Sequence, residues 1–77
     1  MSLEAKVKDV FKQVLDINPD EIKENEKLDV ALGIDSTEMV EITVALKKAF
    51  NLDIPNNGFK KTQTFNELVA FIKSKGN

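Results

Sequence analysis

The stretch LGIDSTEMVEI, from Leu32 to Ile42, sets one hydroxyl, that of Ser36, at the entrance of an apolar-striped helix, among the carboxylates of Asp35, Glu38 and Glu41. A serine so placed has three chemical uses: nucleophile, acceptor of a transferred group, or helix cap. The first requires a base and an oxyanion hole. The chain contains no histidine and no cysteine, and its lysines all lie in polar surroundings, so no base is at hand. An intrinsic serine hydrolase is therefore excluded, and the chain does not read as an enzyme. Capping is a task that Asp35 can perform instead, which leaves the Ser36 hydroxyl free and outward. Gly33 lets the backbone turn closely into the helix. The helix start offers unsatisfied N–H groups and a partial positive charge, both favourable to a phosphate attached there. Ser36 is thus fitted to accept a group from an enzyme that brings its own base and metal.

A second constellation fails on inspection. Asp16, Asn18 and Asp20 imitate the opening of a calcium-binding EF-hand loop. Such a loop needs glycine at its sixth place and glutamate at its twelfth. Those places hold Glu21 and Lys27, so no metal site is assigned.

The elements that must position Ser36 can be read from apolar spacing and caps. Leu3, Val7, Val10, Phe11 and Val14 form one stripe of a first helix over Leu3 to Leu15, with Ser2 as its N-cap and Asn18-Pro19 as its stop. A long acidic connection, Ile17 to Gly33, follows; Ile22, Leu28, Val30 and Leu32 recur in it as an ordered strap across the core. The second helix runs from Ser36 to Phe50, with Asp35 and Glu38 as a capping box and Met39, Ile42, Leu46, Ala49 and Phe50 inward. Asn56-Asn57-Gly58 is a turn signal, and Phe59 to Gln63 reads as one short helical turn. Thr64 and Glu67 form a second capping box, opening a last helix that buries Phe65, Leu68, Val69 and Ile72. No segment reads as a strand.

Composition bounds the rest. Seventy-seven residues make a single domain over 1–77. A chain of this size buries only roughly 60% of its unfolded surface, leaving little room for a deep catalytic cleft. The N-terminus turns amphipathic at once, unlike a signal peptide. No apolar run approaches the roughly 18 residues of a membrane span. A cytoplasmic monomer is expected. The net charge of −2 hides an asymmetry: residues 1–41 carry eleven acids and five lysines, residues 42–77 two acids and six lysines. Every basic residue is lysine, which argues against nucleic acid because the bidentate contacts to phosphate and guanine are made by arginine.

The run LGIDSTEMVEI resembles the attachment site of acyl carrier proteins, a D-S-L run preceded by L-G. The resemblance extends over nearly the whole chain: an amphipathic first helix, a long strap, G-x-D-S at the second helix, F-x-L-x-I-P at Phe50 to Pro55, a short third helix and a capped fourth. It implies an all-α four-helix bundle in which Ser36, flanked by Asp35 and Gly33, receives 4′-phosphopantetheine from coenzyme A by way of a phosphopantetheinyl transferase. The arm's thiol then carries acyl groups as thioesters for acyl-loading and acyl-processing enzymes. The missing cysteine and the missing base are both accounted for, since arm and partners supply them.

Further roles follow from the same resemblance. Asp35, Thr37, Glu38, Val40, Glu41, Val44, Lys47 and Lys48 are expected at the partner-docking face. Leu46, Ile54, Phe59, Leu68 and Ile72 are expected to line the shelter for an acyl chain. Two departures bear on partner choice: Thr37 stands where the family has an apolar residue, and Lys47, Lys48, Lys60 and Lys61 stand where fatty-acid members are acidic. The run G-I-D-S-x-x-x-V-E is closer to fatty-acid and polyketide carriers than to carriers of aminoacyl groups. The rival reading is a helical protein-interaction module whose serine is only a cap.

Overall fold

Side-chain caps decide where the principal helices begin. In the computed structural model, which describes residues 2–55 and 58–75, the Ala5 N–H donates to Ser2 Oγ at 3.1 Å and starts α1, Leu3–Leu15. Asp35 and Glu38 close a reciprocal box that starts α3, Ser36–Phe50. Thr64 and Glu67 close another, with Glu67 N–H on Thr64 Oγ1 at 3.1 Å and Thr64 N–H on Glu67 Oε1 at 2.9 Å, opening α4, Phe65–Lys75. Each box satisfies two backbone donors that the helix itself cannot.

The ends are set differently from the sequence expectation in one place. Proline does not stop α1; Asp16 does, in the left-handed conformation at φ 55°, with its N–H on the Lys12 carbonyl at 2.8 Å. Asn18 instead caps a single 3-10 turn, Pro19–Glu21, accepting from the Asp20 N–H. Asn51 ends α3 in the same left-handed way, at φ 53°.

The strap between Asp16 and Gly33 is ordered, and it contains a helix the local pattern did not reveal: α2, Leu28–Leu32. No side chain caps it. Its first N–H groups are satisfied across the molecule, Leu28 by the Gln63 carbonyl and Asp29 by the Lys61 carbonyl, both at 3.0 Å. Leu28 is fully buried, Ile22 is buried and Leu32 is partly so, but Val30 is 71% exposed and does not belong to the strap's inner face. Val30 lies two residues, about half a helical turn, past Leu28 and so faces outward, while Leu32 returns to the inner side; the recurrence of apolar residues at Val30 was misleading. An isolated antiparallel bridge joins Lys27 to Thr64, and Asn66 Nδ2 donates to Asn25 Oδ1 at 2.7 Å, tying the strap to the start of α4.

Segment 58–63 forms turns rather than the short helix expected there: Gly58 N–H bonds the Pro55 carbonyl and Gln63 N–H the Lys60 carbonyl. The turn signal at Asn56 and Asn57 lies outside the described residues. The four α-helices among the described residues are therefore α1 to α4 as named, with the short one in the strap.

The core gathers at one centre. Val7, Val10 and Phe11 of α1 meet Met39, Ile42 and Leu46 of α3 and Phe65, Leu68, Val69 and Ile72 of α4, closed by Ile22, Leu28, Ile34, Ile54 and Phe59 from the connections. The Phe11 and Phe65 rings meet edge to face at 5.7 Å. α1 packs chiefly on α3, with α4 and the 3-10 turn beside it. Thr43 is the buried polar side chain of the core; its hydroxyl donates back to the Met39 carbonyl at 2.9 Å, so its desolvation is compensated.

Candidate functional site

Ser36 sits in the first turn of α3, held from behind by a short rigid entry. Gly33 ends α2 at φ 66°, a backbone conformation that costs a side-chain-bearing residue about 1–2 kcal/mol. Ile34, next in line, is 2% exposed and anchors the turn in the core. Asp35 is extended and exposed, and it caps: Glu38 N–H reaches its Oδ1 at 2.7 Å, while its own N–H reaches Glu38 Oε1 at 3.1 Å. The buried isoleucine and the reciprocal cap together fix where the next residue points.

That residue is exposed, and its hydroxyl accepts and donates no hydrogen bond among the described residues. The contrast with the other two serines is informative. Ser2 Oγ is committed to the Ala5 N–H, and Ser74 Oγ donates to the Phe71 carbonyl at 2.9 Å. Thr43 and Thr64 are committed as well. Ser36 is thus the serine whose hydroxyl is uncommitted among the described residues.

Outward from Ser36 the α3 surface carries Thr37, Val40, Glu41, Val44 and Lys48 on successive turns, following i, i+3, i+4, i+7 and i+11. Val40 is 46% and Val44 40% exposed. Two half-exposed valines, with Glu41 between them and Lys48 beyond, make an amphipathic ridge on this side of α3. Lys47 is half-buried and Lys48 exposed in the last turn, where positive charge complements the helix C-terminus.

Beside Ser36 lies an open cleft of about 310 Å³, lined by Ser36, Met39, Val40, Phe59, Lys60, Lys61 and Thr62. Of the five residues expected to shelter an acyl chain, Phe59 lines this cleft. Leu46, Ile54, Leu68 and Ile72 are packed in the core, each no more than 2% exposed. From sequence, Lys60 and Lys61 stand out only as a charge departure bearing on partner choice, not as neighbours of Ser36, and Thr62 does not stand out at all. Their segment carries no helix period, and what brings it to Ser36 is the pairing of the Lys61 and Gln63 carbonyls with α2. The signal that was available is the tandem of lysines directly after Phe59.

Among the described residues no cluster of acidic, histidine or cysteine side chains is arranged to hold a metal ion, and no helix is long and apolar enough to cross a membrane.

Comparison with known proteins bears on this arrangement. A family model described as "Phosphopantetheine attachment site" matches residues 5–72. The chain is similar to the acyl carrier protein of Wolinella succinogenes, 35% identical over 96% of this chain and 97% of that protein. It is 32% identical to the acyl carrier protein of Bdellovibrio bacteriovorus, over 99% of this chain and 97% of the relative. The acyl carrier protein of Sulfurovum sp. is 35% identical over 96% and 99% respectively. No solved structure gave a significant match.

Proposed function

The chain belongs to the acyl carrier protein family, and from that premise we propose that Ser36 is its attachment residue and that residues 1–77 form a single carrier domain. It is a carrier and not an enzyme. Its cofactor is 4′-phosphopantetheine, whose terminal thiol supplies the sulfur on which acyl groups travel as thioesters. Its partners are a phosphopantetheinyl transferase and acyl-processing enzymes.

The observation that carries the assignment is the division of labour at the start of α3. Asp35 caps, so the Ser36 hydroxyl is exposed and uncommitted. The residues fit the group: a free hydroxyl for the ester, and open space beside it for a chain to leave. Asp35, Glu38 and Glu41 give the transferase an acidic patch to find, and Val40 and Val44 give it apolar contact. Surface charges of this kind act mainly on encounter rate and are screened over about 8–10 Å at ordinary salt.

We place the cargo in fatty-acid or specialised lipid and polyketide metabolism, supported by the G-I-D-S-x-x-x-V-E run, and the protein in the cytoplasm as a monomer. An acyl chain sheltered among Leu46, Ile54, Leu68 and Ile72 must pass Phe59, which is 4% exposed. Acylation then raises the melting temperature, because a guest bound only by the folded state stabilises it. Amide shifts confined to the Ser36 neighbourhood, with no thermal change, count against such shelter.

The test of the attachment residue is peptide mapping after incubation with coenzyme A and a broad-specificity transferase. The mass of one phosphopantetheine is expected on the peptide spanning residues 28–47, and no gain in Ser36→Ala. An alanine variant that still gains the arm refutes the assignment, and would direct attention to Thr37.

A further inference from the structure

The cleft beside Ser36 has an uneven wall. On the α3 side it is apolar, with Met39 and Val40; on the far side Phe59 is followed by Lys60, Lys61 and Thr62. Neither Lys60 nor Lys61 has an ion-pair partner among the described residues. The acids in the neighbourhood are already occupied or turned inward. Asp35 and Glu38 hold each other's backbone N–H groups. Asp29, whose N–H bonds the Lys61 carbonyl at 3.0 Å, keeps its Oδ1 buried and does not line the cleft.

A group esterified to Ser36 through phosphate brings one negative charge to the mouth of this cleft. Lysine carries a compact charge on a flexible four-carbon stem, so two lysines on the wall can follow an anion without fixed bidentate geometry. The pantetheine portion beyond the phosphate is slender, with amides and methyl groups. It matches a cleft whose floor is methionine, valine and phenylalanine and whose rim is lysine and threonine.

We infer that Lys60 and Lys61 hold the phosphodiester on Ser36 and lay the arm along the cleft between α3 and segment 59–62, so that the holo-protein presents a docked arm rather than a freely swinging one. The inference rests on Ser36 being the attachment residue. It goes beyond attachment, because it gives the two lysines a role toward this chain's own prosthetic group instead of toward a partner. The anchor of segment 59–62 is its backbone pairing to α2, so the docked arm touches an element held in place by the strap.

The experiment compares amide and phosphorus NMR spectra of the apo- and holo-protein, in the parent and in the Lys60→Gln, Lys61→Gln double variant. Holo formation is first verified by intact mass. In the parent, gaining the arm should displace the amides of residues 59–62 together with those of 34–38. In the double variant the displacement at 59–62 should fall to about half or less, with a moved phosphodiester resonance, and raising salt should do the same to the parent, since the contact is electrostatic and screened. The salt series uses the unmodified sequence, so the outcome does not depend on how the variant folds. Displacements confined to 34–38 overturn the docked arm, and displacements at 59–62 that survive both the variant and high salt overturn its anchoring by Lys60 and Lys61. A parent that gains no arm at all refutes the attachment assignment instead, and this inference with it.

Discussion

At the scale of single residues, two neighbours do different work. Asp35 is a cap with a 2.7 Å bond to the Glu38 N–H; Ser36 is a surface hydroxyl with nothing to hold. Removing a capping side chain costs about 1 kcal/mol. In a domain of this size that lowers Tm by about 4–8 °C. Asp35→Ala is therefore expected to show a loss of that order in urea or thermal melts, and Asp35→Asn, which keeps an acceptor, very little. Ser36→Ala should stay within about 0.5 kcal/mol of the parent, as surface substitutions away from special features do. Equal losses at the two positions would make Ser36 part of the cap and remove the argument for a free hydroxyl.

At the scale of elements, the joint between the strap and α4 positions both walls of the site. Phe65 is its centre: fully buried, edge to face with Phe11, and one residue past the Thr64 bridge to Lys27. Phe65→Ala removes a large buried ring, at a cost of about 3–5 kcal/mol. A small single core rarely supplies more than about 3–5 kcal/mol in total, so the variant is expected to be largely unfolded by circular dichroism at 37 °C. A cooperative transition near that of the parent would show that the joint is not structurally central. The same joint explains what could and could not be read locally. Helices α1, α3 and α4 announce themselves because Ser2, Asp35 and Thr64 satisfy donors within three residues and the apolar stripes are long. Helix α2 has five residues and no capping side chain, and its donors are met by Gln63 and Lys61, far along the chain. No local pattern encodes that pairing. For the same reason the Asp35 cap and the exposed Ser36 beside it were legible, whereas the nearness of Lys60 and Lys61 to Ser36 was not: their charge is plain in the sequence, but tertiary contacts alone bring them there.

At the scale of the whole molecule, charge is divided along the sequence, acidic up to Glu41 and basic beyond it. Along α3 the break falls within one helix, from Asp35, Glu38 and Glu41 to Lys47 and Lys48. A partner whose basic patch covers both ends meets attraction at one and repulsion at the other, and like charges across an interface exclude partners. The chain is therefore expected to be a poor substrate for a general fatty-acid synthase and a good one for enzymes matched to it. Replacing Lys47 and Lys48 together with glutamate should speed loading by a general malonyl transferase, most clearly at low salt, and charge reversal at Glu38 and Glu41 should slow modification of Ser36. Equal loading kinetics for the lysine double variant and the parent at low salt would reduce those lysines to complements of the helix dipole.

The central claim is that acyl groups ride on this chain through Ser36. The most direct measurement is intact mass after coenzyme A, a broad-specificity transferase and an acyl-loading enzyme have acted in turn on the parent and on Ser36→Ala, read before and after hydroxylamine. The account predicts a parent that gains the arm and then one acyl group, with the acyl group alone released by hydroxylamine as a thioester would be, and an alanine variant that gains neither. An acyl group on the alanine variant, or a parent whose acyl group resists hydroxylamine, would contradict it.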